Sequence, residues 1–436
     1  MTDPLLIGLL GMAGMFLLIV LHVPIGAAMA IAGFVAFGLT AGFGPAVTLF
    51  GTEAASALGN LDLIAIPLFL LMGGFASTAG LSADMYRLAH ALIGHRRGGL
   101  AFSTILGCAG FGAVCGSSVA TASAMTNVAL PEMRRRGYSA ALSTGSIAAG
   151  GTLGILIPPS IIMVIYALIT EQFVITLYVA AIIPSIIAVV LQLVAIGFVV
   201  RADPKAGPAG PRATGLERLV ATKKSWAVLS LILLIFGGIY AGVFTVNEAA
   251  AVGAALTFLV AWGRGRLTRA LLTRTLSEAA STTGMIYLVL IGANVLTYFV
   301  TASGMPAAMV DAIKGTGLPP MLIIFVLLVI YIILGAIFEE VSVMLLTMPF
   351  VLPLITGFGY SPVWWGIINV IVIEIGMICP PIGLNVFVVH SLARDVPLKT
   401  IYKGIMPLLY ADFARLALLV AVPPLTLWLP NLMGLK

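Results

Sequence analysis

A run of small hydroxyl residues in the first half of the chain has the side chains of an ion-binding or anion-binding site. The run reads GSSVATAS from Gly116, and it places hydroxyls at Ser117, Ser118 and Thr121. If these residues begin a helix, the unpaired backbone N–H groups and the helix dipole favour a bound carboxylate or another anion. The same small residues also let helices pack closely, so packing is the alternative role. The position of the run in the fold decides between the two.

Two proline pairs interrupt apolar sequence and predict backbone ligands for a cation. The segments read GGTLGILIPPS and IEIGMICPPIGLN, with the pairs at residues 158–159 and 380–381. Proline lacks an N–H and its ring clashes with the preceding turn, so each pair frees carbonyl groups one turn earlier. Such oxygens suit a hard cation such as sodium. The positions predicted on this basis are Gly150, Gly151, Thr152, Pro380 and Gly383. A simple kink is the alternative for one pair, but two matching pairs favour a site.

The composition places these segments in a membrane. Of the 436 residues, 61% are hydrophobic and 9% are charged, whereas soluble domains carry about 25% charged residues. The mean hydropathy of +1.16 and the 48 glycines predict many spanning helices packed through small residues. A soluble, disordered or collagen-like protein is excluded. The sequence contains no Gly-Lys dipeptide and hence no Walker A loop, so ATP is not the predicted energy source.

Eight apolar runs are long enough to cross a bilayer, at about 20 residues each. They cover residues 5–21, 24–41, 63–80, 178–200, 226–243, 246–262, 283–301 and 401–427. Two more runs, residues 139–169 and 364–391, contain the proline pairs and are predicted as broken helices. Residues 201–224 are rich in proline, glycine and charge, and they predict a cytoplasmic linker between two halves.

The two halves, predicted as residues 1–200 and 225–436, align when the sequence is shifted by 222 residues. Seven identities fall within 29 positions, and five of them are proline or glycine. If the basic runs face the cytoplasm, 19 of the 22 Lys and Arg residues lie inside. An odd number of crossings then separates the matching segments, which inverts the second half. The predicted fold is an all-α polytopic membrane protein with inverted-topology repeats.

Residues 100–130 and 321–352 are predicted as re-entrant hairpins, one in each half. Basic residues flank the first segment at both ends, so it enters and leaves on one side, and the repeat imposes the same path on the second. The first turns near Gly116 and the second near Glu339 and Glu340, which leaves arms of roughly 15 residues, shorter than a span. Non-helical backbone at that depth is tolerated only inside protein or beside water. The tips are therefore expected to line a cavity.

Three acidic residues lie at membrane depth, where an ionised side chain costs about 2.5 kcal/mol or more. Glu339, Glu340 and Glu374 must therefore be paired, hydrated or protonated. Glu374 aligns with Thr152 and is predicted to orient the backbone of the second broken helix. A water-exposed turn is the alternative for Glu339 and Glu340. Glu248, in the NEAAA start of a helix, is predicted to interact with the helix N-terminus rather than to bind a ligand.

These motifs closely resemble the large membrane subunit of tripartite ATP-independent periplasmic (TRAP) transporters, and the resemblance covers essentially the whole chain. The matching stretches are GSSVATAS with LPEMRRRGY, AAGGTLGILIPPS, FTVNEAAAVGA, LTMPFVLPL and IEIGMICPPIGLNVFV. The resemblance implies an elevator-type secondary transporter of the bacterial inner membrane that is coupled to Na⁺ and is not an enzyme. It also implies import of small organic acids delivered by a periplasmic binding protein, with a separate four-helix small membrane subunit as partner.

The matching motifs also carry over site residues. One ion and substrate half-site would consist of Gly116, Ser117, Ser118, Thr121, Gly150, Gly151 and Thr152. The other would consist of Glu340, Pro380, Pro381, Gly383 and Asn385. The resemblance implies substrate contacts at Ser117, Ser118, Thr121, Glu340 and Asn385. It implies sodium contacts at Gly116, Ser118, Gly150, Gly151, Thr152, Pro380 and Gly383. The family commonly has one acidic residue at the second tip, so which of Glu339 and Glu340 faces the cavity is left open.

Other functions stay open on the sequence alone. A proton-coupled carboxylate transporter without a binding protein, or an ion channel, would also use re-entrant hairpins. An intramembrane hydrolase would need a base beside Ser117, yet no His or Lys lies within one helical turn of it in the sequence. Acyclic dicarboxylates, sialic acid and other carboxylates all suit the expected cavity.

Overall fold

The described part of the chain is helical throughout. The structure is a computed structural model, and it describes residues 4–435. These residues form 21 α-helices and one short 3₁₀ helix, and no strand occurs among them. The predicted all-α fold is confirmed.

Six elements precede the first hairpin. They are α1 (Pro4–Val20), α2 (Ile25–Ala41), α3 (Phe43–Gly59), a 3₁₀ helix (Leu61–Ile64), α4 (Ala65–Ala79) and α5 (Leu81–Ile93). The sequence pattern predicts neither α3 nor α5 as a span, because polar residues such as Glu53 in α3 and Asp84 in α5 interrupt their apolar runs. Both nevertheless form regular helices that pack against neighbouring elements.

The first hairpin and the first broken helix follow. The helices are α6 (Gly99–Cys115), α7 (Ser118–Arg135), α8 (Ala140–Leu156), α9 (Ile161–Ile169) and α10 (Val174–Ala202). Helices α6 and α7 are the arms of the predicted hairpin and extend slightly beyond residues 100–130. Helices α8 and α9 meet at an angle of 40° across the first proline pair. The predicted break in residues 139–169 is thus present.

The middle of the chain contains five helices. They are α11 (Gly215–Lys224), α12 (Trp226–Tyr240), α13 (Val246–Gly263), α14 (Arg269–Ala302) and α15 (Met305–Gly315). The predicted linker, residues 201–224, is therefore helical in its second part. Thr214 and Glu217 explain this helix: the Glu217 N–H donates to Thr214 Oγ1 at 3.2 Å, and the Thr214 N–H donates to Glu217 Oε2 at 2.7 Å. This reciprocal capping box starts a helix in polar sequence.

The second hairpin and the second broken helix lie in the last third. The helices are α16 (Pro320–Ile337), α17 (Glu340–Gly357), α18 (Pro362–Gly376), α19 (Leu384–Leu392), α20 (Leu398–Ala421) and α21 (Pro424–Leu432). Helix α20 confirms a helix long enough to cross a membrane within the predicted run 401–427, but it ends at Ala421, before the predicted end. Two adjacent prolines, Pro423 and Pro424, cannot continue a helix and restrict the residue before them.

The same order of elements occurs twice along the chain. Helices α7 and α17 begin at Ser118 and Glu340, and α8 and α18 begin at Ala140 and Pro362, each pair 222 residues apart. The Pro158–Pro159 and Pro380–Pro381 peptide bonds are both cis. The proposed boundaries at residues 200 and 225, and the opposite orientation of the two halves in the membrane, stay predictions.

The helices have the length and surface of a multi-pass membrane protein. Among the described residues, 7 helices are long and apolar enough to cross a membrane, or up to 9 if each bent pair is one span. The seven include α16 and α17, with 18 residues each, so the predicted length of roughly 15 residues is wrong for the arms of the second hairpin. Large apolar side chains cover the outside, for example Leu233 and Phe198, which are 75% and 70% exposed. In water such a surface would be costly, whereas lipid tails are as apolar as these side chains.

Helix α8 lies at the centre of the bundle that contains both breaks. It packs against α6, α7, α18 and α20, and residues 142–156 of this helix are all buried. Helix α14 lies outside this bundle, along α2, and it also contacts α3, α4 and α17. The hairpin arm α17 thus faces α14, and this arrangement determines what surrounds the tips.

Candidate functional site

Both hairpin tips are built around an N-cap residue, at positions 222 residues apart. Ser117 caps α7, and its Oγ accepts a hydrogen bond from the Ala120 N–H at 3.4 Å. Glu339 caps α17, and its Oε2 accepts from the Ser342 N–H at 3.2 Å. Gly116 ends α6 with a φ of +64°, a conformation that glycine adopts without steric cost. The predicted turns at Gly116 and at Glu339-Glu340 are confirmed.

The first tip contacts the second break directly. Ser118 Oγ donates to Asn385 Oδ1 at 3.2 Å, and the Asn385 amide donates to the carbonyl of Ala148 at 3.4 Å. The Asn385 N–H also donates to the carbonyl of Met377 at 3.1 Å, across the break. Ser118 and Asn385 are fully buried. Two residues predicted to bind substrate from opposite half-sites therefore lie side by side, but neither lines an open cavity.

Thr121 holds the first tip against the end of α8. Its hydroxyl donates to the carbonyl of Ser117 at 2.7 Å, within its own helix. A Cβ on Gly154 would lie 2.6 Å from Thr121 Oγ1 and 2.7 Å from the carbonyl oxygen of Ser117. Only glycine permits this approach, because real Cβ atoms do not come so close to such neighbours. Tip and break are thus one packed unit.

Gly150, Gly151 and Thr152 lie in the intact part of α8. A Cβ on Gly150 would lie 2.9 Å from Cys108 Sγ, and a Cβ on Gly151 would lie 2.7 Å from Ala122 Cβ, so both glycines allow close helix packing. Thr152 Oγ1 donates to the carbonyl of Ala149 at 2.8 Å. Because α8 continues to Leu156, the carbonyls of these three residues are paired within the helix. The carbonyls at the end of the helix are the ones without helical partners. A sodium contact at residues 150–152 stays a prediction.

The second break is fixed by two neighbouring helices. Gly383, with a φ of +63°, donates its N–H to the carbonyl of Ala336 at the end of α16, at 3.1 Å. The Tyr402 hydroxyl of α20 lies 3.1 Å from the carbonyl oxygen of Pro381 and 2.5 Å from that of Ile382. The loop that contains Pro380 therefore lies between the second hairpin and α20. A sodium contact at Pro380 or Gly383 stays a prediction.

An ion pair also links the first hairpin to the loop after the second break. Arg134, near the end of α7, donates from Nη2 to Asp395 Oδ1 at 2.9 Å. This hydrogen bond lowers the pKa of the exposed Asp395 carboxyl. The link is solvated and contributes little to stability, but it joins the same two units as the contact between Ser118 and Asn385.

A cavity of about 820 Å³ lies between the two tips and α14. Of the predicted site residues, Gly116, Ser117 and Glu340 line it, while Ser118, Thr121 and Asn385 do not. Both acidic residues of the second tip line the cavity, but they differ in their partners. Glu339 Oε2 is occupied by the N-cap bonds to Ser342, whereas Glu340 Oε2 is buried and has no hydrogen-bond partner among the described residues. Of the two, Glu340 is thus the one with a buried oxygen that has no partner among the described residues.

The opposite side of the cavity is a polar stripe that the sequence reading missed. Arg274, Glu278 and Thr282 follow at intervals of four residues on α14 and line the cavity together with Ser123 and Asn127 of α7. Residues four apart share one face of a helix. Polar side chains at that spacing, in the first half of a helix whose second half is apolar, are the signal that could have identified this face.

A second group missed by the sequence reading is a buried charge cluster behind the second break. Arg415 of α20 donates from Nη2 to Glu374 Oε2 at 2.9 Å and lies 3.3 Å from Asp412 Oδ1. The Gln192 amide of α10 donates to the same Asp412 carboxylate at 3.4 Å. Thr152 of α8 is close enough to interact with Glu374, so the two residues aligned in the sequence also meet in space. An arginine within an apolar span was the available signal.

Two predictions on acidic residues can be compared directly with these contacts. Glu374 is expected from the sequence to be paired, hydrated or protonated, and its ion pair with Arg415 is the first of these three states. Glu248 forms a capping box with Thr245, whose N–H donates to Glu248 Oε2 at 2.8 Å. The prediction that Glu248 interacts with a helix N-terminus is confirmed.

Comparisons with known proteins match nearly the entire chain. A family model described as the tripartite ATP-independent periplasmic transporter, DctM component, matches residues 12–425. A C4-dicarboxylate TRAP transporter large permease protein of Pseudomonas aeruginosa is 36% identical over 90% of both chains. A sialic acid TRAP transporter large permease protein of Vibrio cholerae is 29% identical over 87% of this chain and 88% of that protein.

The fold is also similar to that of a solved structure. The YdaH transporter of Alcanivorax borkumensis aligns with a TM-score of 0.60 at 14% identity, over 87% of this chain and 88% of that chain. At this identity the likeness concerns the fold alone. The C4-dicarboxylate relatives of Pseudomonas aeruginosa and Vibrio cholerae are named as transporter permeases, which agrees with the expectation that the chain is not an enzyme.

Proposed function

The chain belongs to the DctM component family of tripartite ATP-independent periplasmic transporters, and from this membership we propose that it imports small carboxylates by sodium-coupled secondary transport. Relatives are named for C4-dicarboxylates and for sialic acid, all of which carry carboxylate groups. The observation that carries the proposal is the 820 Å³ cavity between the two hairpin tips, which can hold a small organic acid.

The charges around the cavity support coupling to a cation. Among the described residues that line the cavity are the carboxylates of Glu278, Glu339 and Glu340 and one basic side chain, Arg274. A carboxylate substrate that entered alone would meet like charge in a partly desolvated site. Sodium ions bound at the breaks beside the tips would offset that repulsion. Substrate and sodium would then each raise the affinity of the other.

The proposed movement is of the elevator type. The hairpins and breaks would move as one body, because Ser118 and Asn385 join the first tip to the second break. Helix α14, which lies along α2 and forms the far side of the cavity, would stay in place. The cavity between these two bodies would open to one side of the bacterial inner membrane at a time.

Partner proteins belong to the same proposal. This chain covers 66% of a Haemophilus influenzae protein named sialic acid TRAP transporter permease protein, and 59% of an isethionate TRAP transporter permease protein of Oleidesulfovibrio alaskensis. The additional length in those chains supports a separate small membrane subunit beside this one. A periplasmic binding protein would capture the substrate and deliver it.

Uptake into proteoliposomes tests the function. The full chain, reconstituted with the small subunit and binding protein encoded beside it, is expected to take up a radiolabelled carboxylate saturably and only with a sodium gradient. Succinate and N-acetylneuraminate are suitable first probes. Non-saturable flux would indicate a channel. Equal uptake driven by a proton gradient in sodium-free buffer would support the alternative of proton coupling and overturn the sodium proposal.

A further inference from the structure

We propose that Arg274 of α14 binds the substrate carboxylate and exchanges its present partner, Glu278, for the substrate. This inference rests on the proposed import of carboxylates, and it adds a ligand that lies outside both hairpins and both breaks.

The cavity is lined by more acidic than basic side chains. Among the lining residues that the structure describes, Arg274 is the only basic one, and it shares the cavity with Glu278, Glu339 and Glu340. A guanidinium presents a planar pair of donors that matches a carboxylate. Arg274 is therefore the positively charged side chain that can bind an anionic substrate in this cavity.

The ion pair between Arg274 and Glu278 can be exchanged for a substrate contact. Arg274 Nε donates to Glu278 Oε1 at 2.7 Å, and the two side chains are 72% and 63% exposed. Exposed pairs four residues apart on a helix contribute little, because water solvates both charges well. Substrate can therefore replace Glu278 at small cost. By contrast, the ion pair between Arg415 and Glu374 is fully buried, and neither residue lines the cavity.

Arg274 lies on the side of the cavity that faces the hairpin tips. Helix α14 packs along α2 and forms the side of the cavity that faces the tips. The second tip supplies Glu340, whose buried Oε2 has no partner among the described residues and is suited to a cation. A carboxylate on Arg274 would thus lie across the cavity from a cation near Glu340. Glu278 acts as an internal competitor that occupies Arg274 when the cavity is empty.

Two substitutions with opposite expected effects test this role. Arg274→Gln should raise the apparent KM for the carboxylate by about 10-fold or more, as expected for loss of a hydrogen bond between charged groups. Arg274→Lys keeps the charge but loses the planar fork, so it should lie between wild type and Arg274→Gln. Glu278→Gln removes the competitor and one negative charge, so it should lower the apparent KM by about 2- to 5-fold, within the range of an exposed ion pair.

The matched control is Arg269→Gln. Arg269 begins the same helix, is exposed and does not line the cavity. Uptake of succinate and N-acetylneuraminate is measured at saturating sodium, and KM values are compared for the probe that the wild-type protein transports. A raised KM in Arg274→Gln together with a lowered KM in Glu278→Gln supports the proposal, because misfolding cannot improve affinity.

Three results would overturn it. Unchanged KM values in both variants would mean that the pair only stabilises α14. Equal increases in Arg274→Gln and Arg269→Gln would indicate general attraction of anions by basic residues, not binding at one position. A wild-type protein that takes up neither probe nor any other carboxylate would overturn the proposed function itself, and with it the role of Arg274.

Discussion

The guanidinium of Arg415 and the carboxylate of Glu374 form an ion pair of 2.9 Å inside the bundle, and their side chains are 0% and 1% exposed. Arg415 Nε and Nη1, and Glu374 Oε1, have no hydrogen-bond partners among the described residues. Glu374 lies one turn before the second break, and Arg415 lies on α20, the second helix after it. The pair therefore fixes the end of α18 relative to α20, and with it the loop that carries Pro380 and Gly383.

Replacing one partner of this pair should destabilise the protein. Arg415→Met leaves Glu374 and Asp412 as unpaired buried charges, so we expect a loss of about 3 to 5 kcal/mol in stability. The measurement is the thermal unfolding midpoint of the purified protein in detergent, together with the yield of monodisperse protein. Arg394→Met, which removes an exposed arginine from the nearby loop, is the control.

A double substitution separates charge from packing in the same cluster. Arg415→Met combined with Glu374→Gln removes one charge of each sign, so it should recover part of the stability lost in Arg415→Met. If the double variant is less stable than either single variant, the cluster does not act through charge pairing.

Uptake should require both partner proteins. The described residues form helices and the loops between them, and none of these helices forms a separate domain that could capture substrate outside the membrane. We expect no uptake above background from the large subunit alone, and uptake that depends on liganded binding protein once the small subunit is present. Robust transport of free substrate by this chain alone would contradict the prediction.

The two acidic residues of the second tip should respond differently to loss of charge. Glu340 has a buried oxygen with no partner among the described residues, so Glu340→Gln should weaken apparent sodium affinity by about 10-fold or more while expression stays near wild type. Glu339 caps α17, and glutamine keeps a carbonyl oxygen that can accept the same bond, so Glu339→Gln should change sodium affinity much less. Sodium titrations of uptake at fixed substrate measure both. A larger effect at Glu339 would reverse the assignment.

The hairpin tips and breaks could be predicted from sequence because local residues determine them. The turn at Gly116 requires a positive φ, which glycine adopts readily. Each proline pair follows the end of a helix, α8 or α18, because proline cannot continue a helix. The capping box at Thr214 is also local, although its helix was missed within polar sequence. Local sequence was insufficient for α20, where hydropathy alone joined two helices across Pro423 and Pro424.

Partner choice could not be predicted from sequence, because it depends on how distant helices pack. Arg415 and Glu374 are 41 residues apart, and Ser118 and Asn385 are 267 residues apart. The sequence predicts that Glu374 is paired, hydrated or protonated, and it does not identify which basic residue would be the partner. Likewise, the place of Ser118 at the tip predicts a ligand, whereas its contact with Asn385 is visible only in the folded chain.

The contact between Ser118 and Asn385 should couple the two half-sites energetically. The two side chains share a hydrogen bond of 3.2 Å, and both are fully buried. The effects of Ser118→Ala and Asn385→Ala on affinity should therefore not be additive. We expect a coupling of about 0.5 to 1.5 kcal/mol in apparent sodium and substrate affinity, the usual net value of such a bond.

Thr121→Ala is the matched control, because its hydroxyl bonds within its own helix, to the Ser117 carbonyl. Its cycle with Asn385→Ala should show coupling near zero. Affinities that stay at the wild-type value in Ser118→Ala and in Thr121→Ala, with normal expression, would mean that the first tip only packs and takes no part in binding.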